Sequence, residues 1–310
     1  MSLKAIIAVA HHKRGIILKN DLFLPIHVGA EQATFDLGIQ KDCEGDNISH
    51  LNLYYCELTA IYYLWKNRPD YDYFGLCHYR RFLTFRKLSF LNKLFHSCCF
   101  WGSKFLHIWK YSARFTNEPY IPCSEVALEK EIENFQNSLM ESVKQNSSKF
   151  YCSKEVSLST RTVYEHFSII CGFQRVDEVK SIIRQYYPDY VDVMEKVMAG
   201  HKFHSANLFI FPKDMFERYA TFVFDVLKKH YDMSVGDVKA ISNRLYNRMS
   251  GYYAEFLTDI FIRKEMESGR SCCELPILYL MSAEEESNKR GEKWFSALMS
   301  MGIFNVNFLR

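Results

Sequence analysis

Two short apolar runs, Ala5-Ile6-Ile7-Ala8-Val9-Ala10 and Tyr73-Phe74-Gly75-Leu76-Cys77, each end in a histidine followed by basic residues: His11-His12-Lys13-Arg14 and His78-Tyr79-Arg80-Arg81. Such runs, bounded by turn residues such as Pro69-Asp70, read as strands buried on both faces, and a parallel sheet covered by helices is where such strands belong. Between them lie an extended piece at Leu24-Pro25-Ile26-His27-Val28-Gly29-Ala30 and a turn-and-cap cluster, Gly45-Asp46-Asn47-Ile48-Ser49. A helical pattern follows from about Leu53 to Asn67, with Cys56, Ala60, Tyr63 and Leu64 on one face and Pro69 beyond its end. Strand, loop, helix, strand at this spacing predicts an α/β fold with a Rossmann-type sheet. A parallel sheet gathers the carboxyl ends of its strands, which is where open α/β sheets bind ligands, so the two His-basic clusters are expected to face one crevice.

The charge pattern sharpens that expectation. After Asp72 no acidic residue occurs until Glu118, while Arg80, Arg81, Arg86, Lys87, Lys93, Lys104, Lys110 and Arg114 accumulate. Adjacent arginines at a strand's carboxyl end suit phosphate, because the guanidinium fork pairs with anionic oxygens bidentately. The same composition is that of a solvated basic loop. Within it, residues 88–115 mix aromatic and basic side chains without an acid, the profile of a helix lying on an anionic membrane surface; a helical hairpin with its aromatics turned inward has the same pattern.

Further along, Glu125 to Lys144 reads as an amphipathic helix, Thr162 to Phe167 leads into a strand-like Ser168-Ile169-Ile170-Cys171, and Val176 to Tyr187 is a helix stopped by Pro188. Phe203 to Phe211 reads as a loop entering a buried strand, with His204 and Asn207 at its entrance. From Asp214 to Ser268 the chain is mostly helical, interrupted near Ser234 to Gly236, and Glu274 to Leu280 is a last strand. This arrangement predicts one domain over residues 1–282, carrying 88–115 as an insertion and 283–310 as a tail.

Several classes are disfavoured. A net charge of +3 on 310 residues argues against a general nucleic-acid binder. Ten cysteines without a C-x-x-C pair look like reduced thiols rather than a zinc site or a disulfide framework. The apolar start is too short for a signal peptide, and no run is long enough to span a membrane, so the chain is expected in the cytoplasm or peripherally on the inner face of a bacterial inner membrane. No G-x-x-x-x-G-K-[ST], G-x-G-x-x-G or G-x-S-x-G motif occurs. Asp70-Tyr71-Asp72 spells D-x-D, the pair that holds a metal in many nucleotide-sugar transferases. It precedes its strand, however, whereas a metal bridging a pyrophosphate belongs after one. Turn residues are the reading here, and a divalent cofactor (Mg or Mn) has no well-placed ligand pair.

Pro25 to Ala30, Gly45 to Ser49, Cys56-Glu57-Leu58-Thr59-Ala60 with Trp65-Lys66-Asn67, and Gly75 to Phe82 together resemble the hallmark motifs of a bacterial family of capsule, exopolysaccharide and O-antigen gene clusters. That family has long been catalogued as a domain of unknown function, and its members are taken to be glycosyltransferases of GT-A-like fold. The resemblance spans most of residues 4–282, with weaker matches at Val163 to His166, Asn207 to Ile210 and Gly251 to Leu257. It implies a GT-A-like sheet with flanking helices and a largely helical C-terminal part.

It further implies a nucleotide-sugar donor, with a UDP-linked hexose such as galactose suggested by gene-cluster association, and a glycan or lipid-linked acceptor. Arg80, Arg81 and His78, with Lys13, would neutralise the leaving diphosphate. His11, Gly29, Asp46, Asn47 and Glu57 are the other candidate donor contacts. An inverting transfer needs a carboxylate to accept the acceptor's proton; Glu255 is the first candidate and Glu57 the second. His204, Asn207 and Tyr252 are candidates for the acceptor sugar. A non-catalytic scaffold of polysaccharide assembly, docked through residues 88–115, and a phosphate-transferring or hydrolysing enzyme are the competing readings.

Overall fold

Strand β1 (Ala5–His11) is the axis of the molecule, buried from Ile6 to its end. It pairs in parallel with β2 (Phe23–His27) on one side and with β4 (Tyr73–His78) on the other, bringing Ala10 opposite His78 and His11 opposite His27. Successive side chains leave opposite faces of a strand. Ile6, Ala8 and Ala10 accordingly enter one core, and Ile7 and Val9 another. Two-sided burial is the reason this strand is apolar at every position rather than at every second one.

The computed structural model describes residues 3–18, 20–87, 121–158, 160–240 and 248–280. Among them a ten-stranded, mostly parallel sheet runs β11-β7-β10-β4-β1-β2-β3, where β3 is Gln40–Lys41, β7 Phe150–Ser153, β10 Phe209–Pro212 and β11 Cys272–Leu275. Strand β10 enters antiparallel between β4 and β7. A short hairpin extends β4 into β5 (Arg81–Leu83), which pairs with β12 (Ile277–Leu280), and β12 pairs with β6 (Ile121–Cys123). Strands β8 (Glu155–Ser157) and β9 (Lys202–His204) form a separate antiparallel pair.

Helices cover both faces. On one side lies α3 (Glu125–Gln145), capped by the Ser124 hydroxyl and burying Leu128, Ile132, Phe135, Leu139 and Val143. The larger core, on the other face, is closed by α1 (Asn52–Tyr55), α2 (Leu58–Asn67), α4 (Val163–Cys171), α5 (Phe173–Tyr186), α6 (Val191–Ala199), α7 (Lys213–Ala240) and α8 (Met249–Glu267). At about 1.5–3 kcal/mol for each large apolar side chain removed from water, these two cores drive the fold.

Four sequence expectations differ from the structure. Ser168 to Cys171 is helical, not a strand, because Thr162 and Glu165 form a reciprocal capping box that starts α4 and carries it to Cys171. Helix α7 continues through Ser234 to Gly236 without interruption. The last strand is two, β11 and β12, on either side of Pro276. The helix expected from Leu53 to Asn67 is broken between Tyr55 and Leu58, where Cys56 takes φ 52°. Residues 88–115 and 283–310 lie outside the described residues. None of the eight described cysteines is in a disulfide, and among the described residues no helix is long and apolar enough to cross a membrane.

Candidate functional site

At the carboxyl ends of β1 and β4 the two His-basic clusters meet. The Tyr79 backbone N–H donates to the Ala10 carbonyl at 3.2 Å, and the Tyr79 ring lies against His11, against His12 edge-on, and 5.5 Å from the Lys13 ammonium. Both ring nitrogens of His11 are buried without a hydrogen-bond partner, and burial, then His12 and His27, push its pKa down to about 4. His12 is also depressed to about 4, by desolvation first and then by Lys13, Arg248 and His78.

The two arginines of the β4–β5 hairpin have different surroundings. Arg80 donates through Nε to the Leu280 carbonyl at 3.0 Å, accepts the Leu280 N–H on its own carbonyl, and lies 4.7 Å from the Tyr279 ring centroid. Its side chain thus clamps the hairpin to β12. The Arg81 side chain forms no ion pair or hydrogen bond with a described residue, and its charge acts on His78 beside it.

His78 connects this end of the sheet to a turn between β9 and β10. Its Nε2 donates to the Ala206 carbonyl at 2.7 Å, so the neutral imidazole carries its proton there. Burial lowers its pKa, opposed by Glu57 and assisted by Arg81. The Ala206 N–H donates to Glu255 Oε2 at 3.2 Å, and Asn207 Nδ2 donates to Glu57 Oε1 at 2.9 Å. Asn207 is held from its other end by the Thr258 hydroxyl, 3.1 Å from Oδ1. Arg248, at the start of α8, stands beside Cys56, Glu57 and Tyr252, and their proximity holds its guanidinium firmly charged.

Backbone strain concentrates at the same place. Among the described residues the non-glycine positions with positive φ are Cys56 (52°), Ala206 (69°) and Asn207 (52°). Side-chain-bearing residues adopt this region at a cost of about 1–3 kcal/mol each, and persist in it where surrounding contacts over-determine them. Here Asn52 Nδ2 holds the Cys56 carbonyl at 2.7 Å, and α8 closes on Cys56 at Gly251, where a Cβ would stand 3.2 Å from the Cys56 sulfur. Burial, with Glu57 next to it, pushes the Cys56 thiol up to about 11.

The remaining candidates fall in three places. Gly29 (φ 69°) follows β2, and a Cβ on it would lie 2.6 Å from Asn52 Oδ1, so only glycine fits. Its N–H and that of Ala30 donate to Asp42, a fully buried carboxylate that also accepts from Ser49 and Thr59. Asp42 had no distinguishing sequence signal; its Lys41-Asp42-Cys43-Glu44 context reads as a solvated loop. Asp46 and Asn47 sit at the far end of α2 from Glu57, about 15 Å away by helix rise. Asn47 bonds the backbone of its own turn at Cys43, Gly45 and Ser49, while Asp46 pairs with Asn67 and Tyr62. His204 is buried between Asp259 and Glu274, and Tyr252 lies in the first turn of α8. Arg248 joins the cluster without having been singled out from sequence, and Cys56, read there as a helix-face and motif residue without a site role, joins it too. The D-x-D lies at the amino end of β4, where Asp72 accepts the Lys4 N–H at 2.8 Å; the length of β4, about 17 Å, separates it from His78.

Residues 6–266 match the model of a family described as a domain of unknown function, DUF4422. Among solved structures, the chain is similar to the apo structure of the WbbM bifunctional glycosyltransferase, with a TM-score of 0.72 and 26% identity over 90% of this chain. The match covers 46% of that protein, so this chain spans about half the length of its relative. No curated protein matches significantly.

Proposed function

The chain belongs to the DUF4422 family, and from that premise we propose that it is a glycosyltransferase, moving a sugar from a nucleotide-sugar donor to a glycan or lipid-linked acceptor in bacterial surface polysaccharide synthesis. The observation that carries this reading is the likeness, over 90% of the chain, to part of a bifunctional glycosyltransferase. The geometry at the ends of β1 and β4 supplies a chemistry for it.

In that chemistry the acceptor hydroxyl attacks the anomeric carbon, the carbon–oxygen bond to the diphosphate breaks, and the nucleoside diphosphate leaves with the bonding electrons. Arg81, Lys13 and Arg248 bring positive charge toward the leaving oxygens, and charge preorganised in this way stabilises the transition state without a later reorganisation cost. His78, neutral and bonded to Ala206, and His11, with two unpaired nitrogens, offer hydrogen-bonding groups to the donor. The acceptor's proton goes to a carboxylate. Glu57 is half-buried and oriented by Asn207, whereas Glu255 is 9% exposed and bonded to the Ala206 N–H. Glu57 is therefore the base in this reading, and Glu255 holds the turn. Transfer with inversion follows from a single displacement.

The donor is proposed to be a UDP-linked hexose, with galactose the first to test. Thermal shift with UDP-, GDP- and CMP-sugars, followed by donor hydrolysis, tests the reading. A UDP-sugar should raise the melting temperature and be hydrolysed slowly. Glu57→Gln should bind it and lose turnover, while Glu255→Gln should lose stability as well. If no nucleotide sugar shifts the melting temperature or is consumed, the transferase reading fails. Peripheral attachment to an anionic inner membrane rests on residues 88–115 and is tested by vesicle sedimentation with and without them.

A further inference from the structure

Two residues before the strained turn, a second cluster takes no part in the chemistry above. His204 ends β9 with its ring 3% exposed. Its Nδ1 lies 2.5 Å from Asp259 Oδ1 on α8, and its Nε2 lies 3.1 Å from Glu274 Oε1 on β11. Glu155 stands directly opposite His204 in the β8–β9 register. The ligand atoms of Glu155, His204 and Glu274 all lie within 4.8 Å of one another.

We propose that Glu155, His204 and Glu274 bind one first-row divalent cation, with Asp259 orienting the imidazole from behind. Three observations carry this. First, Asp259 is fully buried and receives both the backbone N–H and the Nδ1 of His204, so the ring is fixed with Nε2 facing the two glutamates. A carboxylate behind a histidine that turns its other nitrogen outward is the usual outer support of a metal ligand. Second, the outward-facing groups are accessible: the Glu274 and Glu155 side chains are 38% and 25% exposed, which gives a cation an entry path to a buried nitrogen. Third, three carboxylates converge here, and Arg263, bonded to Asp259 Oδ2 at 3.0 Å and Glu155 at 2.5 Å, is the one guanidinium bonded to them among the described residues. Lys154 acts on Glu274 more weakly. Bonded to carboxylates through both ring nitrogens, His204 is an imidazolium in this structure; a cation would displace its Nε2 proton, and one Arg against three carboxylates then leaves two negative charges for a divalent ion to balance.

One imidazole nitrogen with two carboxylates suits Mn2+ or Zn2+ rather than the all-oxygen preference of Ca2+ or Mg2+. The cation would tie β8, β9 and β11 together beneath the Ala206–Asn207 turn. The inference does not depend on the transferase reading, because it concerns other residues and needs no nucleotide.

The test titrates the chelator-treated full chain with Mn2+ alone, following free Mn2+ by electron paramagnetic resonance. Mn2+ is the probe because thiols hold it poorly. One equivalent should bind and raise the melting temperature. Glu274→Gln and Glu155→Gln should each weaken binding by about tenfold or more, whereas Asp70→Asn should not. Circular dichroism of each variant in chelator separates lost binding from lost folding, and with two variants the result does not hang on one fold. Absence of Mn2+ binding, or equal binding by both glutamate variants and the parent, overturns the proposal.

Discussion

Asn207 donates from Nδ2 to Glu57 Oε1 at 2.9 Å, joining residues 150 apart in the chain. Each sits beside or within strained backbone: Glu57 follows Cys56, and Asn207 itself has φ 52°. The bond locks two otherwise unfavourable conformations against each other.

Asn207→Gly keeps the left-handed backbone but removes the bonds to Glu57 and Thr258. We expect it to fold, to lose about 1–3 kcal/mol in urea unfolding, and to lose more in turnover than in donor affinity. Asn207→Ala should be less stable than Asn207→Gly, because alanine also bears the positive-φ cost. Equal stability of the two would mean that the turn relaxes when its bonds are gone.

Cys56 has φ 52° and ψ −129°, a combination natural to glycine. Cys56→Gly should therefore be at least as stable as the parent despite losing a sulfur, and Cys56→Val should lose about 2 kcal/mol. Thermal melts of the pair decide it; a strongly destabilised glycine variant would mean that thiol packing outweighs strain.

The adjacent arginines should separate. Arg80→Ala removes the Nε bond to Leu280 and the Tyr279 stacking, and should cost about 1–2 kcal/mol of stability. Arg81→Ala should leave the melting temperature unchanged and lower turnover about 100-fold. Melting curves and donor turnover on both variants check this, and a stable Arg80→Ala with an unstable Arg81→Ala would reverse the assignment.

His11 titrates near 4 in the fold, against 6.5 for an ordinary histidine. Because the folded value is depressed, the unfolded chain takes up the proton first as pH falls. The contribution is complete above pH 6.5 and shrinks toward pH 4, by up to about 3 kcal/mol. Urea midpoints of the parent and His11→Gln should converge as pH falls from 7 to 4.5. Parallel lines would show that His11 takes up its proton in the native state at the ordinary histidine pH.

The α/β class and the meeting of the two His-basic clusters at the ends of β1 and β4 were legible in local pattern. Continuous apolar runs can be buried only between covered faces, and a parallel sheet gathers their ends whatever the loops do. Basic residues after those ends, and a D-x-D on the wrong side of its strand, were visible for the same reason. Periodicity was blind to the break at Cys56, because residues 53–67 keep a helical pattern through it. Asn52, holding the Cys56 carbonyl, and Gly251, admitting α8 against the sulfur, are what end α1 there. Nor does a sequence distinguish Arg80 from Arg81, Asp42 from a surface aspartate, or His204 from a crevice residue. Each difference is made by a partner far away along the chain: Leu280, Thr59, or Asp259 with Glu274. Strand burial follows from short-range order, whereas desolvation, strain and charge pairing exist only once the chain has closed on itself.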